Sequence, residues 1–139
     1  ENPLFVSAIR LVMAQRLVRR LEDATKQAYP ADDATKQRIS AILNTLPEGV
    51  ERPDISNLQL YKPIPSKGNP YGFKGQIALR EQFLMHGKVA ELMTSGHSLT
   101  AQQIEEAAIA SGMRTMLQDG VLKVVAGETT LEEIYRVVG

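Results

Sequence analysis

Apolar residues recur along this chain with two different periods, and the places where the period changes divide it into elements. Over residues 4–13 they occupy nearly every position, the pattern of a helix, or helix end, buried against several neighbours. Asn2 before Pro3 fits an N-cap followed by a proline at the first helical position. In residues 15–21, Leu17, Val18 and Leu21 fit neither period cleanly, and the reading is helix first, then strand. Residues 22–33 are polar and read as a loop. Over residues 34–46, Ile39, Ile42, Leu43 and Leu46 follow the spacing of a one-faced helix, stopped by Pro47-Glu48-Gly49.

Four prolines and three glycines make residues 50–75 loop-rich, with a short edge strand expected over 58–64. Residues 75–83 alternate, with Ile77, Leu79 and Phe83 on one face and Ala78, Arg80 and Gln82 on the other, which predicts a half-buried strand. Glu81 points the same way as the apolar set. A carboxylate there needs a partner, and the expectation is a rim position beside a Lys or Arg.

The remainder reads as short helices. Val89, Leu92 and Met93 mark one that ends at Gly96. Thr100 and Gln103 form a capping box ahead of Ile104, Ala107 and Ala108, and Gly112 closes that helix. A third carries Met113, Met116, Leu117, Val121, Val124 and Val125, with Gly127 in the stop position. Thr129 and Glu132 form a second capping box before Leu131, Ile134, Tyr135 and Val138. Three or four short helices with tight connections predict a small orthogonal bundle.

Composition narrows the function classes. At 139 residues and 43% hydrophobic the chain is long enough to build a core. Sixteen basic and sixteen acidic residues cancel, so no overall field draws it to nucleic acid or anionic lipid. Absence of cysteine excludes disulfides and thiolate metal sites and fits a reducing compartment. No apolar run approaches the roughly 20 residues needed to span a bilayer. The start, Glu1-Asn2-Pro3, is expected to lie inside a longer protein.

Candidate chemistry is sparse. Ser66-Lys67-Gly68 and Phe73-Lys74-Gly75 put lysine beside glycine without the run that cradles phosphates, and turn chemistry accounts for them. His86 and His97 are too few and too far apart for a zinc site. His97 beside Ser98 lacks an orienting acid. The methionines of residues 113–125 are expected to pack in the core. Arg10, Arg16, Arg19 and Arg20 form the one conspicuous charge cluster. It reads as intersubunit or interdomain salt bridges, as a solvated face, or, against the zero net charge, as a phosphate or nucleic-acid patch.

Three blocks carry a resemblance. Residues 112–138, GMRTMLQDGVLKVVAGETTLEEIYRVV, are similar to the C-terminal end of the type II secretion and type IV pilus assembly ATPases. Residues 14–21, AQRLVRRL, resemble a block that lies downstream of that family's nucleotide-binding motifs. Residues 71–81, YGFKGQIALRE, resemble a family strand, and the blocks stand in family order.

The resemblance implies an α+β, mainly α chain: the end of a RecA-like α/β domain (1–21), a counterpart of a zinc-binding insertion (22–74), and a returning strand with a helical end domain (75–139). It implies a full-length parent that binds ATP and Mg, forms cytoplasmic homo-hexamers and drives a platform protein of the inner membrane, with peripheral association through partners. The nucleotide motifs would lie outside this chain, which is expected to have no catalytic, cofactor or metal residues and no hydrolysis of its own. Arg16, Arg19 and Arg20 are the candidate interface to a neighbouring subunit or domain. The chain departs from the family at the cysteine pairs of the insertion. Glu22 and Thr25 stand at the first pair, and Ser66 and Gly68 lie near the second; these side chains cannot hold a tetrahedral zinc. A metal-free insertion built on the helix of Ile39, Ile42, Leu43 and Leu46 is expected. The alternative is a stand-alone helical adaptor that binds a protein, or less readily nucleic acid, through the Arg16–Arg20 cluster.

Overall fold

The computed structural model describes residues 11–84, 87–94 and 100–138. Within them the fold is α+β. In chain order the elements are β1 (Leu11–Leu21), β2 (Gln27–Pro30), α1 (Asp33–Leu43), β3 (Gln59–Lys62), β4 (Phe73–Leu84), α2 (Gly87–Thr94), α3 (Ala101–Ala110), α4 (Met116–Val125) and α5 (Leu131–Val138). The Asn2-Pro3 cap, the apolar positions from Leu4 to Arg10, His86, Gly96, His97 and Ser98 lie outside the described residues.

Two antiparallel ribbons organise the chain. β1 pairs with β4 from Leu11↔Leu84 to Leu21↔Phe73, with a register shift between Arg19 and Leu21. The expected helix therefore does not reach Met13: residues 11–13 are already strand. Crowded apolar positions suit either element, and a partner about 70 residues away decides between them. β2 pairs with β3 from Gln27↔Lys62 to Pro30↔Gln59. β2 was legible only as loop, because all four of its residues are exposed and no alternation betrays it.

α1 begins where the side chain of Asp32 accepts the amide of Thr35 at 2.7 Å. The helix ends at Leu43, three residues before the expected Leu46, yet Ile39, Leu43 and Leu46 are all buried. They join Val18 of β1, Leu79 of β4 and Ile134 of α5 in one core, so all three sequence segments contribute to it.

The four C-terminal helices do not form one bundle. α2 packs on α3 around a separate cluster of Val89, Ala107, Ala108 and Met113. α4 packs on α5, β4 and α1, and α5 packs on β1. The Thr100–Gln103 capping box is present on α3. α4 starts at Met116, later than its apolar stripe suggests, behind a further capping box of Thr115 and Gln118. Residues before it are extended, and Arg114 bridges to Gln82 of β4.

Candidate functional site

The β1–β4 ribbon is gripped at both outer edges by side chains of the two last helices. On the β1 side, the Arg19 backbone amide donates to Glu133 Oε2 at 2.8 Å, and the Thr129 hydroxyl donates to the Arg19 carbonyl at 2.8 Å. Two residues on, the Leu21 amide donates to the Glu128 carbonyl at 2.9 Å. On the β4 side, the Arg80 amide donates to Asp119 Oδ2 at 2.9 Å. Asp119 also receives Lys123 at 2.8 Å and faces Arg114 at 3.6 Å.

Glu133 is the more heavily used carboxylate. Besides the amide, it takes the Arg19 guanidinium through Nε at 3.0 Å and Nη2 at 2.7 Å, and Arg136 at 2.9 Å. Burial pushes its pKa upward, but the hydrogen bonds from Arg19 and Arg136 outweigh that and hold it at about 2, below the usual 4.5. The Arg19 guanidinium also lies over the Phe73 ring, 4.2 Å from its centroid.

The three arginines proposed from sequence thus occupy different situations. Arg19 is tied within the chain. Arg20 makes one loose contact, 3.6 Å to Asp23, between two well-exposed side chains; such a pair adds little. Arg16 is exposed, and among the described residues no carboxylate pairs with it.

The register also defines a free edge. Residues in an antiparallel pair alternate between those bonded to the partner strand and those facing away. Arg19 faces away, and Leu17, Gln15 and Met13 share its parity. Among the described residues these three have no backbone partner on that edge, and Leu17 and Met13 are 52% and 55% exposed.

At the neck of the β2–β3 segment, two turns meet through Asn69. Its Nδ2 donates to Glu22 Oε2 at 2.7 Å and to the Phe73 carbonyl at 2.8 Å. Thr25 reaches the same Glu22 oxygen at 3.5 Å, and Ser66 pairs with Asn69 through its backbone. Glu22, Thr25 and Ser66 therefore belong to a hydrogen-bonded clasp. Among the described residues no group of three or more His, Cys, Asp or Glu side chains is arranged to hold a metal, and no helix is long and apolar enough to cross a membrane.

The model of the type II/IV secretion system protein family matches residues 1–136. The chain belongs to this family. It is 34% identical to the type II secretion system protein E of Xanthomonas campestris over 99% of its own length and 22% of that protein. It is 31% identical to the type IV pilus assembly ATPase PilB of Thermus thermophilus, over 96% of this chain and 14% of the relative. The PilB of Myxococcus xanthus is 30% identical over 96% of this chain and 22% of its own length. The chain thus spans about a fifth or less of the length of these relatives.

In this type II/IV secretion family member, sequence reasoning found the arginine cluster but missed the acids that organise it. Asp119 and Glu133 lie inside helices where a carboxylate reads as solvated face. One signal was available: Thr130 stands three residues before Glu133, and its hydroxyl, not that of Thr129, accepts the first-turn amide of α5 at 3.3 Å. The expected Thr129–Glu132 box does not form: the Thr129 hydroxyl donates to the Arg19 carbonyl, and the capping contact passes to Thr130, while the Glu133 carboxylate is taken by Arg19 and Arg136. Glu81 was expected beside a Lys or Arg. It instead accepts the Met116 amide at 3.0 Å, where the open amides of the α4 N-terminus favour a carboxylate.

Proposed function

We propose that this chain is the C-terminal region of a hexameric ATPase that powers type II secretion or type IV pilus assembly. It serves intersubunit contact and force transmission and holds no nucleotide site of its own. The observation that carries the reading is the double grip on the β1–β4 ribbon. One carboxylate on each of two adjacent helices binds a backbone amide of each strand, so a displacement of the ribbon moves α4 and α5 with it. The free edge of β1, with Met13 and Leu17 beside it, supports the further reading that residues 1–21 finish a RecA-like sheet lying upstream. Residues 22–74 then stand as its cysteine-free insertion and 75–139 as its returning strand and helical end.

In that arrangement Arg19 anchors β1 through Glu133, while Arg16 and Arg20 face a neighbouring subunit or domain. The parent would bind ATP and Mg, work at the cytoplasmic face and contact a platform protein of the inner membrane.

The decisive experiment places Asp119→Asn and Glu133→Gln together in the full-length protein. Hydrolysis of ATP is expected to persist while export or pilus extension falls. Unimpaired export would overturn the force-transmission role. The chain by itself is expected to bind no ATP, and saturable binding in calorimetry would overturn that part of the reading.

A further inference from the structure

We infer that the cleft between the β2–β3 ribbon and the start of α5 receives an arginine side chain from a second copy of this chain, with Arg16 as the donor. The inference rests on the self-assembling role proposed above and adds a named contact to it. The cleft encloses about 250 Å³ and is lined chiefly by Tyr29, Tyr61, Phe73, Arg19, Glu132 and Glu133. That is room for one long side chain and less than small-molecule sites commonly offer.

Its three rings differ in what they carry. Phe73 holds the Arg19 guanidinium on its face, and Glu133 binds that cation. Tyr61 holds the Lys26 ammonium 4.8 Å from its centroid, and Asp23 binds that cation at 2.7 Å. Each of these is a set of ring, cation and carboxylate. Tyr29 and Glu132 supply a third ring and a third carboxylate. Among the described residues no cation lies over Tyr29, and no ion pair includes Glu132. Tyr29 is 37% exposed, so its ring is accessible. Burial, followed by the negative charges of Glu132 and Asp32, raises the pKa of its hydroxyl. Asp32 is occupied in capping α1, which leaves Glu132 as the acid open to a partner.

Lys62, a cation of the chain itself, also lines the cleft. A guanidinium has the advantage there, because its plane stacks on a tyrosine ring while its fork meets the carboxylate. Arg16 is the complementary group: exposed, on β1, and without an acid among the described residues. Arg16 does not line the cleft. Repeated head to tail between successive copies, the contact is heterologous, the class of interface that closes rings.

The test is sedimentation of the full-length protein with nucleotide. Glu132→Arg and Arg16→Glu are each expected to weaken self-association about tenfold, and the double variant to recover most of that loss. Glu132→Gln should give a smaller loss in the same direction, and circular dichroism checks that each variant is folded. If Arg16→Glu weakens assembly but the Glu132 variants do not, or if the double variant stays as weak as the singles, the pairing is overturned while Arg16 keeps its intersubunit role. If neither single variant changes assembly, both ideas fall.

Discussion

Glu133 and Arg19 stand 114 positions apart and are joined by three hydrogen bonds, one of them from the Arg19 backbone. A carboxylate that holds both a strand amide and the same residue's guanidinium fixes the strand's position and its side chain's direction together. Thr129 closes the other half of the contact by binding the Arg19 carbonyl. At Arg19 the edge of β1 is thus finished by side chains where another strand would otherwise lie, whereas the edge from Met13 to Leu17 stays open among the described residues.

Glu133→Gln should therefore destabilise the fold in a pH-dependent way. The folded pKa of about 2 lies below the usual 4.5, so the charged form is favoured in the folded state. Its contribution is complete above the unfolded value and is lost as pH falls from there toward the folded one. Allowing for solvent around the half-exposed Arg19, we expect a loss of about 2 kcal/mol at neutral pH. Urea titrations should show the gap between wild type and variant closing as the medium becomes acidic; a constant gap would contradict the assignment.

Asp119→Ala removes the acceptor of the Arg80 amide and the partner of Lys123. The expected cost is about 1–3 kcal/mol, since a partly buried amide is left without its acceptor. Hydrogen exchange localises the effect: the Arg80 amide should exchange faster than its neighbours on β4. Uniform acceleration along β4 would point to global loosening instead.

Gly120 lies within α4, where a Cβ would stand 2.8 Å from Ile134 Cδ1 and 2.9 Å from its Cγ2. Alanine is the better helix former by about 1 kcal/mol, yet overpacking against a fully buried isoleucine costs about 1–3 kcal/mol. Gly120→Ala should lower the melting temperature. Adding Ile134→Val removes Cδ1 and should relieve part of the clash, so the two substitutions will be less than additive.

The clasp at the neck of the β2–β3 segment predicts independence from metal. A chelator should leave the melting temperature unchanged, and elemental analysis should find no stoichiometric zinc. Asn69→Ala, which removes the donor to Glu22 and to the Phe73 carbonyl, should cost about 1 kcal/mol. Protection of the fold by added zinc would overturn this account.

Much of the local structure was legible in sequence. The face of α1 through Ile39 and Leu43, the Thr100–Gln103 box and the alternation of β4 all depend on neighbours within one or two turns or along a single strand, which the sequence displays directly. The site was legible only on its basic side. Arg16, Arg19 and Arg20 could be singled out as a cluster, but which of them is satisfied within the chain depends on where α5 lands. A charge on a helix looks the same in sequence whether it meets water or a strand.

By itself, then, the sequence determined that α1 to α5 are helical, the Thr100–Gln103 cap and the apolar surfaces the helices must bury, because those follow from short-range spacing. The tertiary structure decided that residues 11–13 are strand, that four exposed residues form β2, that Thr130 and not Thr129 caps α5, and that Arg19 is bound to Glu133 while Arg16 meets no acid among the described residues. The physical reason is common to all four: strand pairing and the partnering of a buried carboxylate are made between residues remote along the chain, and only the packed chain brings them within hydrogen-bonding distance.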